Sequence, residues 1–348
     1  MRTFQQAIID KQSSLFKKGE KRKWVKVHCI RTKEEVWRDT LRKYLKRDMG
    51  DIWHIALPMH NQAVDFYVGC YTPKLLLFYT VTRSEEYESA ISKLINTTSG
   101  FGRMWIGPRK FESLILNFVE MFQISIKRFY ASSYSKDSLQ AQRRPNIPRN
   151  IYWNAIDSLD TLFELRELYG VRPTRVMMHF KAGNIQIANE GLFVLTRLKQ
   201  EMFDAMEEAL NFIRADEEHM TTVSQSMHLE VVPLRLEKGE LMIPEITSGK
   251  IVLSNATLNK LVVKNFMDKS KSFEFIDEFD EEGSFSWVAT AIDKEKRSAF
   301  EINSNDKEIT LVPRYGTTFE GLLEFYREIL ERVDDSATLV PFGGSVGT

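Results

Sequence analysis

Lysine, arginine, tyrosine and tryptophan gather at two places in this 348-residue chain. The first cluster holds Lys17, Lys18, Lys21, Arg22, Lys23 and Lys26 around Trp24. The second holds Lys127, Arg128, Phe129, Tyr130, Tyr134, Arg143, Arg144 and Arg149, close to Tyr152 and Trp153. Cationic side chains neutralise phosphates, and exposed aromatic rings stack on unpaired bases. The combination suits contact with DNA or RNA. The plainer alternative makes Tyr130, Tyr152 and Trp153 core residues of flanking strands, with the arginines merely solvating a loop.

Charge is divided along the chain. Lys plus Arg equals Asp plus Glu at 48 each, yet residues 1–150 carry 27 basic against 14 acidic residues and residues 151–348 carry 21 against 34. Such a division marks a polyanion-binding half, or two halves that attract each other or their counterparts in an oligomer. The expected partners are therefore DNA or RNA, and a protein partner or a second copy.

Other chemistry is weakly encoded. His54 and His179 sit within strand patterns beside apolar residues, and His54 and His60 are too far apart for a helical pair. No cysteine stands at zinc spacing from any histidine. The run Asp277, Glu278, Asp280, Glu281 and Glu282 offers hard oxygen ligands but lacks the order of a calcium loop, and reads as a solvated acidic stretch. Asp293-Lys294-Glu295-Lys296 reads as a hairpin turn with charged tips. The glycine-rich stretch Gly100-Phe101-Gly102-Arg103 is followed by no Lys-Ser/Thr pair, so it is no nucleotide loop, and no nucleophile elbow is present. No cofactor or metal is expected. An enzyme with a dispersed site, such as a metal-dependent nuclease, is the third class in play, because scattered residues leave no local trace.

Two cysteines, Cys29 and Cys70, in a chain of this length point to a reducing compartment. The opening residues are polar, and the longest apolar runs are four to six residues, which suggests neither a leader nor a membrane span. A cytoplasmic protein with no membrane partner is the expectation.

The elements that position these residues follow from periodicity. Alternating runs at 52–57, 63–71 and 74–81 read as strands before a helix over 84–95. The stretch 174–213 reads as three strands and an amphipathic helix, a scaffold module with function lying upstream of it. A third such succession spans 284–330. The aromatic residues that open the three helices, Tyr87, Phe203 and Phe319, are equally spaced in sequence. The fold class is α+β, with two to three repeated antiparallel units of strand-strand-strand-helix and packed helices. The expected division is a basic unit over 1–130, a basic loop over 131–150, a central unit over 151–218 and an acidic unit over 219–348. Three similar units invite comparison with ring-shaped sliding clamps. The helices here are neutral to acidic, the wrong charge for lining a channel around DNA.

Further along, Thr32 and Glu35 suggest a capping box for a helix running to Gly50, with Val36, Trp37, Leu41, Tyr44 and Leu45 on one face. Pro108 suits the first turn of a helix apolar over most of its circumference, as if buried between sheets. The acidic segment 273–283 reads as a separator.

Overall fold

The computed structural model describes residues 24–32, 36–59, 62–82, 84–98, 100–133, 149–197, 199–236, 239–280, 285–295 and 298–341. The chain is of α+β class and divides into two compact units, 1–217 and 218–348. From the sequence, the first carries 34 Lys/Arg against 25 Asp/Glu and the second 14 against 23.

The first unit is built on one antiparallel sheet, ordered β2-β3-β4-β5-β1-β11-β10-β9-β7-β8. Its strands are β1 (Val25–Thr32), β2 (Leu45–Asp48), β3 (Ile52–Met59), β4 (Gln62–Thr72), β5 (Leu75–Thr80), β7 (Ser125–Ser133), β8 (Asn150–Trp153), β9 (Val171–Phe180), β10 (Gly183–Ala188) and β11 (Leu192–Leu195), with short β6 (Phe101–Arg103) paired to β1. Strands on both sides of the basic loop share this sheet. That loop joins β7 to β8, which pair as a hairpin from Phe129↔Trp153 to Ser132↔Asn150.

Helices cover both faces, so the central strands are apolar on both sides. In β5, Leu75, Leu77 and Tyr79 belong to one core and Leu76 and Phe78 to the other. The first core is closed by α3 (Pro108–Phe122), α4 (Ser158–Tyr169) and α5 (Gln200–Ser226). The second is closed by α1 (Val36–Arg42) and α2 (Ser84–Thr97). Tyr87, Ala90 and Leu94 of α2 and Phe203, Met206 and Leu210 of α5 are all buried, as their helical spacing predicts.

Three sequence expectations are corrected. The first helix ends at Arg42, and Leu45–Asp48 form edge strand β2 instead. Charged side chains are common on edge strands, where they discourage further pairing, and Lys46 reaches Asp65 on β4 at 2.8 Å. Helix α3 lies against one core only, with Ser113, Glu120 and Met121 exposed. The acidic segment after residue 272 is a strand, β15 (Phe273–Asp280), because Phe273 and Phe275 alternate with Glu274 and Ile276.

The second unit holds a ribbon of β12 (His228–Leu236) and β13 (Gly239–Thr247) and a six-stranded antiparallel sheet. That sheet adds β14 (Gly249–Val252), β16 (Ser286–Asp293), β17 (Ala299–Ser304), β18 (Glu308–Pro313) and β19 (Thr338–Pro341), in the order β15-β16-β17-β18-β14-β19. Aromatic rings of α6 (Lys260–Lys269), α7 (Phe319–Arg332) and the strands pack together, with Phe325 touching Phe266, Phe273 and Phe300. The cap of α7 is Thr318, whose side chain accepts from Gly321 N; the neighbouring Thr317 hydroxyl donates to Ala299 O instead.

The strand-strand-strand-helix succession thus occurs at β3-β4-β5-α2, β9-β10-β11-α5 and β16-β17-β18-α7. A common succession is not yet a repeated unit. The first two meanders flank one shared strand, β1, whereas the third pairs with β14.

Two buried groups give pH its hold on stability. Asp334 accepts from the backbone N–H groups of Ser254 (2.7 Å), Asn255 (2.7 Å) and Ala256 (3.1 Å) and from Ser336. Burial alone would raise this carboxyl, but the hydrogen bonds from Ser336, Asn255 and Ala256 outweigh it and the pKa falls below the ordinary range. A depressed carboxylate stabilises the fold above the unfolded-state pKa and loses that contribution as pH falls through the folded one. Asp334→Asn can keep its carbonyl on the three N–H donors only by turning its NH2 onto the Ser336 N–H, and is expected to cost about 2 kcal/mol or more. Urea unfolding at neutral pH checks this, and the difference from the native chain should shrink below about pH 4.

His28 on β1 is buried, its ring centroid 4.7 Å from that of Tyr87, and its Nε2 has no hydrogen-bond partner. Burial first, then the cations of Arg103 and Lys26, push its pKa down to about 3. An unfolded-state histidine takes its proton near 6.5, so stability declines as pH drops from there toward 3. Its imidazole NMR signals should stay unchanged between about pH 5 and pH 8. A midpoint near the ordinary value would refute this burial.

Candidate nucleic-acid interface

Register, rather than sequence neighbourhood, assembles the strongest candidate site. Val176, Met178 and Phe180 of β9 face the core beneath α3 and α5, which puts Arg175, Met177 and His179 on the opposite face. Cross-strand pairing then lines up residues distant in sequence. One row runs Tyr152, Tyr130, Arg175, Ala188, Leu192, His28. The next runs Arg128, Met177, Gln186, Val194, Lys26. Lys26 of the first basic cluster and Arg128 of the second therefore share one face, four strand spacings or ~19 Å apart.

Exposure is concentrated at the β7–β8–β9 end. Tyr130 is 40% and Tyr152 50% exposed, while Met177, Gln186, Leu192 and His28 are buried. The two tyrosine rings lie 4.8 Å apart at 43°. The Arg175 guanidinium stands 5.8 Å from the Tyr130 ring and is held by Glu190 at 3.0 Å. Glu190 sits on the β10–β11 turn beside Gly191, whose φ of +73° and 2.9 Å approach of a would-be Cβ to Met104 leave room only for glycine. Arg128 donates to Gln186 Oε1 at 3.3 Å.

A bulge makes Lys127 the additional residue between Ile126 and Arg128 in the β7–β9 register. Bulges commonly re-aim a side chain in this way. The Lys127 carbonyl accepts from Ser158 Oγ at 3.3 Å, and the same hydroxyl donates to Ala155 O at 2.6 Å, which ties the start of α4 to the bulge. Lys127, Ser125, Asn154, Ile156 and His179 line an open cleft of about 380 Å³. Ile156 is 97% exposed. His179 Nδ1 lies 2.6 Å from the Asn184 side-chain oxygen, which holds the imidazole in place.

Of the residues singled out from the sequence, Lys127 and Arg128 come together here. Arg149 does not, because its guanidinium sits 4.3 Å over the Tyr169 ring at the end of α4. Lys17, Lys18, Lys21, Arg22, Lys23, Tyr134, Arg143 and Arg144 lie outside the described residues, as do the side chains of the acidic run at 277–282. The reading of Tyr130 and Tyr152 as core residues is overturned by their exposure, whereas Phe129 of the same cluster is fully buried in the core and offers no stacking face. Trp153 is 37% exposed and donates to Asp157 at 3.1 Å. Arg175 was not among the residues singled out from the sequence, and the His179 ring is satisfied by Asn184 while it lines the cleft. The alternation of Val176, Met178 and Phe180 was the signal that placed both on the outer face.

Among the described residues, no group of three or more His, Cys, Asp or Glu side chains is arranged to hold a metal ion. Cys29 and Cys70 are free thiols, and burial pushes the Cys29 thiol well above its ordinary pKa, leaving it a poor nucleophile. Among the described residues, no helix is long and apolar enough to cross a membrane. The chain matches no known protein family, and no curated protein matches it in sequence.

Proposed function

We propose that this chain is a non-catalytic nucleic-acid-binding protein, or the nucleic-acid-facing subunit of a larger complex, acting in the cytoplasm. The observation that carries the reading is the exposed Tyr130–Tyr152 pair set among Lys127, Arg128 and Arg175 on the net-basic first unit. The cations contact phosphate, and the acidic second unit serves a protein partner or self-association. Fluorescence anisotropy against DNA and RNA tests it: binding at low salt that weakens steeply as salt rises is the expected result. Absence of binding at low salt, or affinity indifferent to salt, sinks it. The scaffold alternative draws on the opposite net charges of the two units; it predicts a salt-sensitive oligomer by mass measurement with no affinity for nucleic acid.

A further inference from the structure

The geometry points to a single-stranded polynucleotide, lying along β9 from Arg175 to His179, as the ligand of this face, with an unpaired base stacked on the Tyr130–Tyr152 pair. The inference rests on the nucleic-acid reading above and narrows it. Arg175 and His179 are four residues apart on one strand face, a track of ~13 Å. At one end stand the two exposed rings with the Arg175 guanidinium 5.8 Å from Tyr130. At the other is the cleft lined by Lys127 and His179. Arg128 lies between, on the row of Met177.

The track sets two exposed aromatic rings at one end of a line of cations, and that combination discriminates between ligands. A duplex presents phosphates outward and keeps its bases stacked inside. Against a duplex, the tyrosine rings would lose water and gain no stacking partner. A single strand offers both a phosphate for each cation and a free base for the rings. The tyrosine and arginine types also suit a protein interface. Lys127, Arg128 and Arg175 outnumber the neighbouring carboxylates of Glu190 and Asp157, which favours a polyanion.

The test uses the full chain and fluorescein-labelled oligonucleotides of about ten nucleotides, single-stranded RNA, single-stranded DNA and a matched duplex. Single strands should bind more tightly than the duplex. The RNA and DNA arms show which sugar the track prefers. Y130A/Y152A should weaken single-strand binding by roughly fivefold to a hundredfold and duplex binding by a smaller factor. Y130F/Y152F, which keeps the rings, should restore it. Tyr130 and Tyr152 are exposed, and circular dichroism checks that every variant folds. Equal affinity for single strand and duplex, with Y130A/Y152A unchanged but K127A/R128A weakened, overturns this inference and leaves nucleic-acid binding standing. No binding of any oligonucleotide by the native chain overturns both. A protein ligand at this face, abolished in Y130A/Y152A while no oligonucleotide binds, has the same consequence.

Discussion

Glu217→Gln is expected to lower the unfolding free energy by about 3–5 kcal/mol. Glu217 on α5 and Arg31 on β1 form a buried pair, Nε to Oε2 at 2.6 Å and the second guanidinium nitrogen to Oε1 at 3.1 Å. Both charges gave up water to enter the core. Removing one leaves the other uncompensated in a low dielectric, and that penalty exceeds the value of the pair itself. The double replacement Arg31→Met with Glu217→Leu should therefore be far milder than either charge removal alone. Urea unfolding of the single and double variants measures this. A single variant within about 1 kcal/mol of the native chain would mean that water reaches the pair.

Lys127→Ala, Arg128→Ala and Arg175→Ala together should weaken binding to every nucleic-acid sequence alike. They should also flatten the plot of log affinity against log salt by ~0.7 unit for each single-strand phosphate that is no longer neutralised, about two in all. The slope matters more than the affinity. A structural disturbance lowers affinity at every salt concentration, whereas removing cations from the phosphates changes how many counterions are released. Arg128 and Arg175 already hold Gln186 and Glu190, so their positions are set before any ligand arrives. Unchanged slope with reduced affinity would place the phosphate-binding cations elsewhere.

Local pattern made the elements legible. The period of Phe319, Leu322, Leu323, Tyr326, Ile329 and Leu330 predicts the buried face of α7, and all six are buried. Gly170 ends α4 in a left-handed cap with its N–H on Arg166 O, the position that favours glycine. The Leu45–Asp48 stretch was not legible, because so short a run fits helix and strand periods alike and only pairing with β3 decides between them. The site lies beyond local pattern for a related reason. Lys26 meets Val194 across 168 positions of chain, and Arg128 meets Gln186 across 58. Register over such separations is fixed by the whole sheet. The two basic clusters were visible as composition. That Lys26 and Arg128 share one face with Tyr130 was not.

The central claim, that nucleic acid meets the β7–β8–β9 end of the first unit, is tested most directly by photocrosslinking. A radiolabelled single strand is crosslinked to the intact chain at low salt, and the attached peptides are mapped by mass spectrometry. Crosslinks on residues 125–133 and 150–153, competed away by unlabelled strand and by salt, are the predicted result. Crosslinks confined to 218–348, or none at all, would contradict it.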